Sequence, residues 1–514
     1  MLNKTLRLFN TVKFLKPIQI YYRFYYLVRK KSRGVMGKTP LFSKESAINF
    51  LNLQESIHII DCYSIQNKFT FLNLDKKFED KIDWNYSEHG KLWTYNLTYF
   101  DYLSHTNQKE SLYLMNSFVE NISTIKDGLE PFPISLRGIN WVKYLSYSKI
   151  RDKKIENSLY AQYYILLDNL EYHLLGNHLL ENGFSLLFGA YYFQDEILYQ
   201  KAKKILTQQL EEQILEDGAH FELSPMYHQI MLFRLLDCIN LLQNNSWKKS
   251  ELLEFLVKKA ELMLGWLENI SYKSGEIPLF NDSAKGIAPT TRQLLSYAEV
   301  LGIEVKKSSM KQSGYRKIFK NNYECIVDVG HIGAEYIPGH AHADTFNFEL
   351  RINGKPFIVD TGLSTYETND RRTLERSTCS HNTVEVNGQS QSDVWGGFRV
   401  GNRAKIIALT ENENFIESTH DGYKKDNILH TRKWSFEEDK IIIEDRLSQP
   451  TNAVARFHFA PTLSEEEILK YFDITEEKIK FERYSYAPEF NIKKEALVLS
   501  IYFNNFLKIE IDIS

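Results

Sequence analysis

The apolar residues of this 514-residue chain change their spacing once, near Lys306–Gly314, and that change limits what each half can fold into. Before it, apolar side chains recur at helical intervals through Tyr160–Tyr172, Gly183–Phe193, Ile197–Gln213, Tyr227–Leu242, Leu252–Leu267 and Thr291–Leu301. Aromatic-rich segments at Leu92–Asp101 and Pro133–Trp141 open this half. Successive amphipathic helices joined by short loops stack as antiparallel hairpins, and many hairpins in series curve into an incomplete α/α toroid. After the polar, Ser- and Lys-rich linker the period is two: Cys325–Asp328, Phe346–Ile352, Thr383–Val386, Ala404–Leu409, Lys440–Glu444, Ala453–Phe459, Leu497–Phe503 and Phe506–Ile513. Asn353-Gly354 and Asn387-Gly388 add two hairpin signals.

The expected class is therefore α+β multidomain, an N-terminal incomplete α/α toroid followed by a C-terminal antiparallel β-sandwich. Residues 1–85 form a basic, aromatic segment and a small mixed region with short strands such as Ile57–Ile60 and Phe69–Leu72. Residues 86–305 form the toroid and 315–514 the sandwich. A chain of this length exceeds a single core.

Charge excludes one class of partner. A formal net charge of −3 argues against nucleic acid, while leaving room for a local basic groove that meets an anionic polymer. The 31 Tyr, 32 Phe and 7 Trp supply flat faces that suit sugar rings as well as cores. Cys62, Cys238, Cys325 and Cys379 have no paired spacing, so neither a disulfide framework nor a Cys-based zinc site is indicated.

From Met1 to Lys44 there is no Asp or Glu, while cations such as Arg7, Lys13, Lys16, Arg23 and Arg29 alternate with Leu, Phe and Tyr. Those charges interrupt every stretch that could serve as a cleavable signal, and no stretch is apolar enough to span a membrane. The expected location is intracellular or membrane-surface associated, with the periplasm as the alternative. Pro17–Tyr26 suits peripheral contact with an anionic membrane, or packing as a helix on the body.

The chemistry concentrates in Gly339-His340-Ala341-His342-Ala343-Asp344, in Asp360-Thr361-Gly362 and in Ser380-His381-Asn382-Thr383. His342, Asp360 and His381 are potential metal ligands, and two imidazoles with a carboxylate suit zinc. His340 precedes His342 by two residues. On a strand that spacing would put a reactive imidazole and a ligand on one face. Two helical-half motifs complete the set: Asn177-His178 inside the apolar run His173–Gly183, and Tyr227 opening a helix after the turn at Ser224-Pro225. Taken singly, Asn177 reads equally well as a helix cap and His178 as a satisfied core group.

An amide, a phenol and imidazoles favour β-elimination over hydrolysis. Removing the proton α to a carboxylate builds up a second negative charge, which Asn or His donors can neutralise. A Tyr can then protonate the leaving glycosidic oxygen or, when deprotonated, take the C5 proton, and imidazole is a natural alternative base. Other classes use other residues. A toroid glycoside hydrolase would need a carboxylate pair, for which Glu181 and Glu222 are the placed candidates. A His-x-His-x-Asp metallo-hydrolase is suggested by His340, His342 and Asp344, but Thr345 stands where that motif commonly continues with His. A glycan-binding or surface-polysaccharide assembly protein would keep the cleft without turnover.

Together, Asn177-His178 in an NHLLENG-like helix, Glu222–His228, His340–Asp344, Asp360–Gly362 and His381–Thr383 resemble the heparinase II/III family of polysaccharide lyases, alginate lyase relatives included. The resemblance runs from about Trp93 to Lys405. It implies a cleft between toroid and sandwich that cleaves uronic-acid polysaccharides. Asn177 would neutralise the uronate, His178 would assist or act as base, Tyr227 would be the acid and in syn elimination also the base, and His340 would be a cleft histidine. It further implies zinc, in a structural role, on His342, Asp360 and His381. A second cleft tyrosine maps to Tyr366. Trp395 is a candidate for stacking on sugar, and Arg137 and Arg399 for binding acidic groups.

Overall fold

The computed structural model describes residues 2–36, 39–58, 62–64, 67–248, 251–474 and 478–514. Ile59 and Ile60 of the expected strand Ile57–Ile60 lie outside the described residues. Two N-terminal helices, α1 (Leu2–Val12) and α2 (Pro17–Val35), precede a three-stranded sheet of Tyr63–Ser64, Lys68–Phe71 and Leu74–Lys77. The helical body follows as α3 (Lys91–Tyr99), α4 (Gln108–Asn121), α5 (Pro131–Ser148), α6 (Lys153–Asp168), α7 (Gly176–Phe193), α8 (Glu196–Gln213), α9 (Pro225–Asn244), α10 (Glu251–Ile270) and α11 (Thr291–Val300).

These helices alternate between two layers. α3, α5, α7, α9 and α11 pack in sequence on one another, while α4 packs on α6 and α8 on α10 outside them, which is the α/α toroid expected from the hairpin series. The residues dictate which layer a helix takes. α7 is apolar around most of its circumference and buries nearly every side chain, as an inner helix must. α8 buries one stripe, Leu198, Ala202, Ile205, Leu206, Gln209 and Gln213, and turns lysines and glutamates to water. Asp152, Asp195 and Ser224 cap α6, α8 and α9 through their side-chain oxygens.

Among the described residues, every strand pair of the second half is antiparallel, beside one isolated parallel bridge at Gly362–Ala487. One four-stranded sheet runs Tyr315–Phe319, Tyr323–Asp328, Phe348–Ile352, Lys355–Ile358, and another runs Lys478–Glu489, Ile492–Phe503, Ala453–His458, Val384–Val386. Val359 N donates to His458 O at 2.9 Å and Ala460 N to Phe357 O at 3.1 Å, so these two sheets meet edge to edge. A six-stranded sheet, Ile406–Glu411, Phe415–Tyr423, Ile428–Phe436, Lys440–Leu447, Phe506–Asp512 and Phe472–Asp473, supplies the rest of the sandwich. A single apolar cluster, including Phe348, Phe457, Trp434, Ile443 and Ile509, joins the layers.

Strands Tyr323–Asp328 and Phe348–Ile352 are buried along their whole length because their second face meets the end of the helical half. There Tyr272 Oη donates to Glu349 Oε2 at 2.8 Å, Leu279 N to Glu349 Oε1 at 2.9 Å and Lys273 N to Glu324 Oε2 at 3.0 Å. The loop after α10 is thereby fixed to the sheet.

Two expectations need correction. Strands Phe415–Tyr423 and Ile428–Phe436 escape the period-two reading because several of their inward positions are polar: Ser418, His420, His430 and Arg432 are all buried. Asn387-Gly388 does turn tightly, with Gln389 N donating to Val386 O at 2.9 Å, but it joins no hairpin, since Val384–Val386 pairs with Ala453–Ala455.

Candidate active site

The pinned loop delivers Asn281-Asp282-Ser283 to the seam between the halves. Asn281 takes a positive φ of 55°, donates from Nδ2 to Leu223 O at 3.0 Å and accepts from His342 N at 2.9 Å. Ser224 Oγ, the cap of α9, donates to Asp282 O at 2.8 Å, and Asp282 N donates to His340 O at 3.0 Å. Three residues thus stitch the start of α9 to the His340–His342 stretch.

Asp282 is fully buried and carries four contacts. His340 Nδ1 lies 2.9 Å from Oδ2, His342 Nε2 lies 2.8 Å from Oδ1, and the Arg372 guanidinium spans both oxygens, with Nη2 2.6 Å from Oδ2. Burial alone would disfavour its charge, but Arg372 and the two imidazoles hold the carboxyl well below the usual range. An acceptor on Nδ1 keeps the proton there and leaves Nε2 of His340 toward Asn177 Nδ2 at 3.4 Å and Glu222 Oε2 at 3.5 Å. His340 closes a single tight turn, Pro338–His340, and the backbone beyond it is irregular. The expected strand through His340 and His342 is therefore absent; both imidazoles reach Asp282 from a bent segment.

α7 begins sharply, with Leu175 at φ 64° and Gly176 at φ 57°. A Cβ on Gly176 would stand 2.7 Å from Glu222 Oε1. The bare backbone lets Asn177 N donate to that oxygen at 2.9 Å, so the buried Glu222 carboxylate sits at the positive end of the helix. Asn177 Nδ2 contacts Glu222 Oε1 at 3.1 Å and Oε2 at 2.9 Å, and lies 3.4 Å from His340 Nε2. Three acceptors thus stand within reach of two amide hydrogens.

Tyr227 follows the Ser224 cap and Pro225 in the first turn of α9. Its ring stacks on His340, with centroids 3.8 Å apart and 28° between planes, and its Oη lies 3.2 Å from Tyr366 Oη. Burial pushes the Tyr227 phenol well above its ordinary value, and the Tyr366 phenol likewise. Both rings line a cavity of about 280 Å³ with Phe71, Tyr99, Glu181 and Lys285. Glu181 Oε1 lies 3.1 Å from Arg234 Nε, and burial lifts its carboxyl to about 7 against the pull of Arg234.

The structure gathers Asn177, Tyr227, His340 and Tyr366, with His342 behind them on Asp282, and places His178, Arg137, Trp395 and Arg399 in other contacts. His178 is half-buried with Nδ1 3.0 Å from Glu171 Oε1. Burial opposes its charge, yet Glu171 outweighs that and raises the imidazole. Its ring lies 4.9 Å from that of Phe132. Arg137 is fully buried inside the toroid, where Nε meets Gln162 Oε1 at 2.7 Å and Nη1 meets Thr98 O at 3.0 Å and Gly128 O at 2.9 Å, while Nη2 is buried without a hydrogen-bond partner. Trp395 donates from Nε1 to Thr11 Oγ1 of α1 at 3.2 Å, and Arg399 stacks over its ring at 4.7 Å. Both belong to the N-terminal contact and neither lines the cleft cavity. Sequence reasoning missed Asp282 and Arg372. Asn281-Asp282-Ser283 sits in a turn-rich stretch, and a buried pair 90 residues apart in sequence leaves no periodic signal.

His381 Nδ1 lies 2.8 Å from Asp360 Oδ2, and the His342 and His381 ring centroids are 5.2 Å apart. His342 Nδ1, His381 Nε2 and Asp344 Oδ2 are buried without a hydrogen-bond partner. Two orphaned imidazole nitrogens beside carboxylates are the donor chemistry that zinc prefers. Among the described residues, however, no three such side chains already form a metal shell.

Known proteins resemble this chain in sequence and fold. Residues 155–303 match the family profile described as Heparinase II/III N-terminus, and residues 304–502 match Heparinase II/III-like, C-terminal. A heparin-sulfate lyase of Bacteroides stercoris is 23% identical over 360 residues, covering 63% of this chain and 52% of that protein. One of Pedobacter heparinus is 26% identical over 269 residues, covering 46% and 40%. The chain spans about half the length, or less, of the curated relatives it matches. Among solved structures, heparinase III superposes with a TM-score of 0.63 at 15% identity over 92% of this chain and 88% of that one. Heparan sulfate lyase HepC from Pedobacter heparinus gives 0.54 at 17%, over 87% and 81%.

Proposed function

Since this chain belongs to the heparinase II/III family, we propose that it cleaves an acidic, uronic-acid-containing glycan of the glycosaminoglycan kind by β-elimination. The observation that carries the reading is the Tyr227–His340 stack, with the Asn177 amide 3.4 Å from His340 Nε2, at a cleft both halves complete.

The uronate carboxylate takes a hydrogen bond from Asn177 Nδ2, which offsets charge as the C5 proton leaves. His340, held by Asp282 through Nδ1, presents Nε2 as the base for that proton. The electron pair of the C5–H bond forms the C4–C5 double bond, and the C4–O bond breaks. Tyr227, kept as a neutral phenol by burial, gives its proton to the leaving glycosidic oxygen. The hydrolase reading loses support, because both Glu222 oxygens are engaged by Asn177 and Glu181 is paired with Arg234.

The same reading includes zinc on His342, Asp360 and His381, supported by the donor set and the two orphaned nitrogens. When bound, the ion would neutralise buried charge and brace the segment that carries His340.

The test is absorbance near ~232 nm, where the C4–C5 unsaturated product of this elimination absorbs, on incubating the protein with heparan-, chondroitin-, hyaluronan- and alginate-type polymers. A rise with one polymer class supports the reading and names the substrate. Reducing ends released without absorbance would replace it by hydrolysis.

A further inference from the structure

Both N-terminal helices are docked inside out. α2 turns its polar face to the body. Gln19, buried, donates to Leu174 O at 2.9 Å, Tyr26 Oη donates to Leu170 O, Arg29 and Arg33 pair with Asp168, and Tyr22 stacks on Tyr172 at 4.7 Å. The opposite face is apolar and bare: Phe24 is 70% exposed and Leu27 62%, flanked by Ile20, Tyr21 and Val28. α1 repeats the pattern. Asn10 Nδ2 donates to Asn402 Oδ1 at 3.1 Å and Thr11 takes the Trp395 bond, while Phe9 is 63% exposed with Leu6, Leu8 and Val12. A helix on a globular body ordinarily buries its apolar stripe and wets its polar one. Here two consecutive helices do the reverse.

Charge identifies what covers them. The first 44 residues hold eleven Lys and Arg and no Asp or Glu, in a chain whose formal charge is −3. Arg23, Lys30 and Lys31 are exposed on α2 itself. A two-fold dimer through this face would set those cations against their own copies. An anionic lipid surface offers headgroups to the cations and an acyl boundary to the aromatic and aliphatic stripe. We propose that α1 and α2 form a platform that lies on an anionic lipid surface. This rests on the N-terminal segment alone, independently of the reaction. The hairpin that meets α1 through Trp395 also carries Phe398, whose ring is 6.1 Å from that of His340, so the platform is joined through one hairpin to the His340 region.

The test is co-sedimentation of the full chain with vesicles of phosphatidylcholine, with and without phosphatidylglycerol, beside the variant Phe24→Glu/Leu27→Glu. Both side chains are exposed, so the variant should melt with the wild type, and that melt controls for folding. The expected result is binding to the anionic vesicles only, weakened by salt and reduced at least about tenfold in the variant. Equal binding to both vesicle types, no binding, or binding that the variant retains would overturn the proposal. So would light scattering that shows a wild-type dimer which the variant dissolves without any lipid association.

Discussion

The Tyr227 ring lies on the imidazole of His340 at 3.8 Å, although the two residues come from different halves of the chain. One enters from the first turn of α9 and the other from a bent segment of the sandwich half, and Asp282 bonds to the backbone or side chains on both sides.

Tyr227→Phe keeps this stack and removes only the hydroxyl, which contacts Tyr366 Oη at 3.2 Å. Turnover, read as absorbance near ~232 nm, should fall by roughly 10²–10⁴-fold with the melting temperature unchanged. Tyr366→Phe, which leaves the Tyr227 phenol in place, should cost far less. A Tyr227→Phe enzyme of near wild-type rate would remove the phenol from the chemistry.

Asp282→Asn leaves the buried Arg372 guanidinium without its counter-charge and withdraws the acceptor that sets the His340 tautomer. Denaturant unfolding should show a loss of about 3–5 kcal/mol, the usual consequence of breaking a buried ion pair from one side. Unchanged stability would mean that Arg372 finds another partner.

Glu181 titrates at about 7 when folded, above its ordinary 4.5, with burial as the main cause. Between those values the unfolded chain has lost the proton that the folded chain keeps, so stability falls as pH rises through this window and levels above it. Glu181→Gln should flatten that part of a melting-temperature profile, by an amount on the order of 3 kcal/mol across the window. A profile that stays parallel to the wild type would place the titration elsewhere.

Elemental analysis should find about one zinc per chain, the stoichiometry of a single three-ligand site. His381→Ala should lose the metal and melt earlier, and chelation should lower the wild-type melting temperature toward that of the variant. Metal-free wild-type protein that melts unchanged after zinc is added would dispose of the site.

The two-part architecture was legible because it rests on periodicity. Helices such as Glu196–Gln213 and Thr291–Val300 match their apolar spacing almost to the residue. The fold hid itself where inward positions are polar, as at His430 and Arg432, since burial paid for by Asp445 looks like exposure to a hydrophobicity pattern. In the site, Asn177, Tyr227 and His340 could be read because each sits in a compact local motif. Asp282 and Arg372 could not, because their roles arise from a meeting between distant segments. The surroundings of Arg137 were hidden for a related reason: a cation's chemistry is visible in sequence, while the carbonyls that meet it inside the toroid are not.

The Asn281–Ser283 loop also sets when reactivity can appear. During synthesis the helical half emerges first, and domains fold largely as they emerge. That half carries the phenol, the amide and Asp282, but no imidazole for Asp282 to orient until His340 has followed and the sheet of Tyr323–Asp328 and Phe348–Ile352 has closed on the loop. The Asp282–His340 contact therefore forms only after the first strands of the sandwich half have been made and have closed on the loop.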